Sequence, residues 1–65
     1  MPKRDLSNSD DVYFEFVAMG HSVKVIAIHA ASGIEVSVVG PASAARSDLE
    51  RLAIRKLAAR LKNDT

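Results

Sequence analysis

Only two residues, Gly20 and His21, separate the stretch VYFEFVAM (Val12 to Met19) from SVKVIAIH (Ser22 to His29). Both stretches are rich in β-branched and aromatic side chains, which fit a pleated, half-buried surface, so both read as strands. A connection this short turns the chain straight back, and Gly in its first position suits a type II′ hairpin turn. The hairpin pairs Met19 with Ser22, Ala18 with Val23, Phe16 with Val25 and Phe14 with Ala27.

A second turn follows. Ala30-Ala31-Ser32-Gly33 ends on a glycine that can take positive φ, and Ile34 to Val39 is a third apolar run. A four-residue loop pairs His29 with Ile34, Ala27 with Val36 and Val25 with Val38. One sheet face then collects Val12, Phe14, Phe16, Ala18, Val23, Val25, Ala27, Ile34, Val36 and Val38, all apolar. A loop one residue shorter would turn Glu35 and Ser37 onto that face, because side chains alternate along a strand. The clean apolar face selects the longer loop.

Gly40-Pro41 ends the third strand. Beyond it, Leu49, Ala53, Leu57 and Leu61 recur every four residues with Leu52 and Ile54 flanking, which is the apolar stripe of a helix. SDLE at Ser47 to Glu50 matches a capping box: Ser47 accepts from the Glu50 N–H and Glu50 reaches back. Ser43 offers an earlier start. Asp48 and Glu50 at the start, and Arg60 and Lys62 at the end, complement the helix dipole.

The expected architecture is therefore α+β. A three-stranded antiparallel meander (about 12–19, 22–29 and 34–39) carries one C-terminal helix (about 47–62) on its apolar face. Residues 1–10 hold a single Leu6 among Pro, Lys, Arg, Ser, Asn and Asp and read as a disordered tail. That leaves 11–63 as a single β-β-β-α domain.

Size and composition narrow the function. A chain of 65 residues buries about 60% of the surface its unfolded form exposes, so it is marginally stable alone. Chains this small commonly add disulfides, a metal or a second subunit. The absence of cysteine removes disulfides and thiolate metal sites and fits a reducing compartment. No apolar run approaches the ~18 residues of a membrane span. The N-terminal MPKRDLSNSDD has charge but no apolar stretch behind it, so it is not a signal peptide. A cytoplasmic protein is expected. A net charge of +1 does not by itself imply a nucleic-acid partner.

A single helix covers a single face. The other face carries Tyr13, Glu15, Val17, Met19, Ser22, Lys24, Ile26, Ile28, Glu35, Ser37 and Val39. Tyr13, Val17, Ile26, Ile28 and Val39 are expected to form a patch open to water, rimmed by Glu15, Lys24 and Glu35. Contiguous exposed apolar patches mark interaction sites, although a half-apolar face also stays solvated beneath the stems of Lys and Glu. Self-association is the simplest use, since two-fold homodimers are the commonest oligomers. Sheet stacking or edge pairing of the first or third strand would serve.

The residues that carry chemistry do not converge. His21 and His29 lie at opposite ends of the second strand, about 26 Å apart at ~3.3 Å per residue, and cannot share a metal. Ser32, Ser37, Ser43 and Ser47 have no accompanying His and acid that the sequence reveals. GPASA lacks the glycines and the Lys-Ser/Thr ending of a phosphate loop. A chain this small offers little room for a ligand pocket of ~300 Å³ or more. No catalytic, cofactor or metal site is expected, and no small-molecule substrate or enzyme activity. Arg51, Arg55, Arg60 and Lys62 could present a phosphate-contacting helix face. Against that stand Asp48 and Glu50 at the helix start, and Tyr13 as the single exposed aromatic available for base stacking.

VYFEFV, GHSVKVIAI, SGIEVSVVGPASA and LERLAIRKL together resemble a small bacterial family of uncharacterised single-domain proteins, over roughly Val12 to Leu61. The resemblance implies the same compact domain and brings no activity and no catalytic residues. The β-β-β-α order is also similar to the second half of double-stranded-RNA-binding domains. Here their first helix is missing, and Ser47, Asp48 and Glu50 replace the lysine cluster at the start of their C-terminal helix. The reading that results is a protein–protein interaction module, a homodimer or an accessory subunit, using Tyr13, Val17, Ile26, Ile28 and Val39. The alternative is a weak nucleic-acid binder using Arg51, Arg55, Arg60 and Lys62.

Overall fold

The structure, a computed structural model, describes residues 11–63. Its elements are β1 (Val12–Met19), β2 (Ser22–His29), β3 (Glu35–Pro41) and α1 (Arg46–Asn63). The strands form one antiparallel sheet in the order β1-β2-β3, the expected α+β architecture. The tail expected at 1–10 lies outside the described residues.

Both turns take the form their glycines allow. Gly20 has φ 62° while no non-glycine residue among those described has positive φ, the pattern of a type II′ turn. It sets Met19 opposite Ser22 and Phe16 opposite Val25. In the second loop Gly33 has φ 76°. Its N–H donates to the His29 carbonyl at 2.8 Å, and the His29 N–H donates to the Ile34 carbonyl at 2.9 Å. The ladder then runs Ile28 to Glu35, Ala27 to Val36 and Val25 to Val38, the register of the four-residue loop.

β3 begins one residue later than the apolar run suggests and extends through Pro41. The Ile34 N–H is taken by the Ser32 hydroxyl at 3.2 Å, which delays the start of regular pairing. At the other end Gly40 still pairs with Val23 and Pro41 with Ser22. Proline is tolerated here because the missing N–H lies on the outer side of an edge strand. Gly40 is therefore not a strand terminator. A Cβ at Gly40 would stand 2.5 Å from Leu49 Cδ2, so the position is a notch that receives the helix.

The helix starts at Arg46, not Ser47. The Ala45 carbonyl accepts the N–H of Asp48 at 3.1 Å and of Leu49 at 3.2 Å, which makes Ala45 the N-cap residue. Ser47 lies inside the first turn and the SDLE capping box is not formed. The chain enters the helix early because it turns directly out of β3: Ala42 N–H donates to His21 O at 2.8 Å and Ala44 N–H to Pro41 O at 3.0 Å. That turn brings Leu49 onto the Gly40 notch.

Val25, Ala27 and Val36 from the sheet and Leu49, Ala53 and Leu57 from α1 form the buried core. Val12, Phe14, Phe16, Val23, Ile34, Val38, Ala44 and Leu61 pack around it, half-buried. The helix lies over β2 and β3. β1 is left beside it, and Ala18, at its far end, is exposed rather than covered. Leu52 and Ile54 do not join the core and stay 50% and 45% exposed. Each stands ~100° around the helix from the central Ala53, pointing along the sheet rather than into it. Above β1, the Arg46 guanidinium lies 4.3 Å from the centre of the Phe16 ring.

Candidate interaction surface

The register arranges the uncovered sheet face in rows across the three strands. Tyr13, Ile28 and Glu35 form one row; Glu15, Ile26 and Ser37 the next; Val17, Lys24 and Val39 the third. Tyr13 is 51% exposed, Val17 36% and Val39 59%. Ile26 and Ile28, on the central strand, are half-buried by their neighbours. All five residues expected on this face are therefore on it. Met19, 44% exposed, extends it toward the first turn.

Two of the three charged residues rim the apolar ones, and the third does not. Lys24 stands between Val17 and Val39, and Glu15 stands beside Ile26. Glu15 and Glu35 lie at the outer ends of their rows, on β1 and β3, and Lys24 alone is interior. The face is a chequerboard because the paired strands place charges at different heights along the sheet.

The two edges of the sheet differ. The Asp11 carbonyl accepts the Ala30 N–H at 3.0 Å, which fixes the sense of β1. Its odd-numbered residues bond to β2, and the N–H and C=O groups of Val12, Phe14, Phe16 and Ala18 point outward. None of these groups is hydrogen-bonded to a described residue. On β3 the outward row is Glu35, Ser37, Val39 and Pro41. Lys56 Nζ donates to the Ser37 carbonyl at 2.7 Å, Pro41 has no N–H, and its carbonyl accepts from Ala44 at 3.0 Å. Lys56 thus reaches over the β3 edge.

The polar residues form one pair that sequence reasoning missed. His29 Nδ1 lies 2.7 Å from Ser32 Oγ, and the same oxygen accepts the Ile34 N–H at 3.2 Å. The spacing i, i+3 across a turn was the available signal. His29 is the last residue of β2 and Ser32 lies in the exposed loop beyond it, and the pair holds that loop in shape. His21 lies in the first turn, at the other end of β2. Among the described residues no group of three or more His, Cys, Asp or Glu is placed to hold a metal. Of the basic helix residues, Arg51 Nη1 is 3.4 Å from Asp48 Oδ1, while Arg55, Arg60 and Lys62 are exposed. Arg60 and Lys62 occupy the last turn, well separated along the axis from Arg51. Among the described residues no helix is long and apolar enough to cross a membrane.

No curated protein and no solved structure matches the chain. A family profile described as a domain of unknown function, DUF6898, matches residues 9–64. That span takes in every strand and the helix, so the chain belongs to the DUF6898 family.

Proposed function

We propose that this domain is a protein–protein association module whose open sheet face stacks on the same face of a second copy. The observation that carries the reading is the exposure of Tyr13, Val17 and Val39 together on the sheet face opposite the helix. A two-layer fold leaves such a face to a partner, and exposed apolar area of this kind is a recurrent feature of interaction sites. The charges favour a second copy as that partner. Lys24 on the central strand lies one row along from Glu15 and two rows along from Glu35, which are on the outer strands. A copy turned about a two-fold axis that runs across the strands, between the Glu15 and Lys24 rows, sets its Glu15 level with Lys24, a self-complementary arrangement. The absence of cysteine suits a reducing, cytoplasmic setting.

Replacing Ile26 with Lys puts a charge at the middle of the face without touching the core. Ile26→Lys should retain the wild-type circular dichroism spectrum and lower the mass seen by light scattering at near-millimolar protein. A variant with unchanged mass sinks the stacked-face reading.

A further inference from the structure

We propose that β1 is a second, independent contact between copies: its free edge pairs antiparallel with β1 of another chain, joining two sheets into one of six strands. The inference rests on the reading that the chain self-associates, but not on the open face.

The argument begins with what an edge strand must do. A row of unpaired N–H and C=O groups is a template for another strand, and soluble proteins blunt it with proline, lysine or a covering element. β3 carries such protection, in the Lys56 bond to Ser37 and in Pro41. β1 carries none over Val12–Met19: no proline, no lysine and no glycine. Its outward groups at Val12, Phe14, Phe16 and Ala18 meet no described partner.

The packing beside that edge is incomplete in the same direction. α1 is set over β2 and β3, so Phe14 and Phe16 are only half-buried although they belong to the apolar face, and Phe16 is capped from α1 by the Arg46 guanidinium, not by an apolar side chain. A second β1 alongside brings its own Phe14 and Phe16 next to these, in the seam between the two helices. Cross-strand aromatic pairs are a favourable sheet contact. A second copy supplies both missing things at once: a matching row of backbone groups and the apolar cover.

The side chains also select a register. Antiparallel pairing that keeps faces matched centres on a residue of β1, and the overlaps of five residues or more centre on Phe14, Glu15, Phe16 or Val17. Centring on Glu15 sets two carboxylates directly opposite, which is unfavourable. Centring on Phe14 pairs only Val12 to Phe16 of each copy and centring on Val17 only Glu15 to Met19, whereas Phe16 at the axis pairs Tyr13 to Met19. The structure therefore assigns Phe16 to the two-fold axis, with Phe14 opposite Ala18 of the second copy.

Ala18→Pro tests this. The Ala18 N–H points away from β2, so proline there removes no bond of the sheet itself but blocks pairing across the edge. The expected result is a folded variant whose mass at near-millimolar concentration is lower than that of wild type. An unchanged mass overturns edge pairing. Ile26→Lys separates the two contacts: a fall in mass with Ile26→Lys alone leaves the stacked face and removes the edge, and the reverse leaves only the edge. A wild-type chain that stays monomeric overturns both. Amide exchange on the wild type gives a readout that needs no variant. The N–H groups of Phe14, Phe16 and Ala18 should slow at least tenfold between micromolar and near-millimolar protein, while those of Glu35 and Val39 do not. Equal exchange on the two edges at the higher concentration overturns the proposal.

Discussion

Ala45 accepts the Asp48 and Leu49 N–H groups of α1 through its carbonyl but has no side-chain oxygen to offer the first turn. Serine, threonine, aspartate and asparagine do that job at an N-cap, and alanine in their place costs about 0.5–2 kcal/mol. Ala45→Asp should therefore stabilise the domain by about 1 kcal/mol, which is a rise of roughly 4–8 °C in Tm for a chain of this size. A thermal melt decides it; no rise would mean that Ala45 does not occupy the N-cap. The capping motif was legible at Ser47 to Glu50 and still pointed to the wrong residue. A local motif competes with the route by which the chain leaves the preceding strand, and here the bonds from Ala42 and Ala44 determine that route. At Ser32 the reverse held. A serine three residues beyond a histidine is too common a pattern to single out, and only the loop geometry brings Ser32 Oγ to His29 Nδ1.

Between elements, the contact that sets the helix is Leu49 on Gly40. Leu49 is buried to 3% exposure, and its Cδ2 occupies the space a side chain at Gly40 would take. Gly40→Ala asks for a shift of one flexible side chain. Gly40→Val adds bulk that Leu49 cannot clear while remaining in the core, and overpacking of this kind costs about 1–3 kcal/mol. Urea melts of the two variants should rank Val well below Ala; equal midpoints would show that Leu49 moves freely. The strand pairing was legible because side chains alternate with a strict period of two. A slip of one residue at Glu35 and Ser37 would have put both in the core. The lateral position of α1 was not legible. A stripe of Leu49, Ala53, Leu57 and Leu61 says which side of the helix is buried, not which strands it lies over, and the glycine that fixes the answer reads from sequence as a simple terminator.

For the molecule as a whole, one helix and three strands make a two-layer domain with one layer uncovered. The membership of the open face follows from alternation, and Tyr13, Val17, Ile26, Ile28 and Val39 are all on it. The interleaving of Lys24 and Glu15 with the apolar residues follows from the cross-strand rows. The difference between the two sheet edges does not, because it depends on how far Lys56 reaches from a helix whose position only the folded chain reveals. The two proposed contacts act along different directions. Edge pairing has its two-fold axis normal to the sheet, and face stacking has its axis in the sheet plane. Where the two perpendicular axes intersect, the assembly closes as a tetramer.

The Lys56 bond to Ser37 has a consequence for growth. A monomer with two reactive ends polymerises, and a monomer with one reactive end stops at the first coupling. On the proposed edge pairing, the Lys56 bond and Pro41 would leave β3 the poorer edge and the chain monofunctional for strand addition, so pairing is expected to end at two chains rather than propagate into a fibre. Removing both stoppers, Lys56→Met together with Pro41→Val, should make the chain bifunctional. That variant should form sedimenting, β-rich polymers at concentrations where the wild type stops at a finite mass. A variant that remains at finite size would show that some other group holds the β3 edge shut.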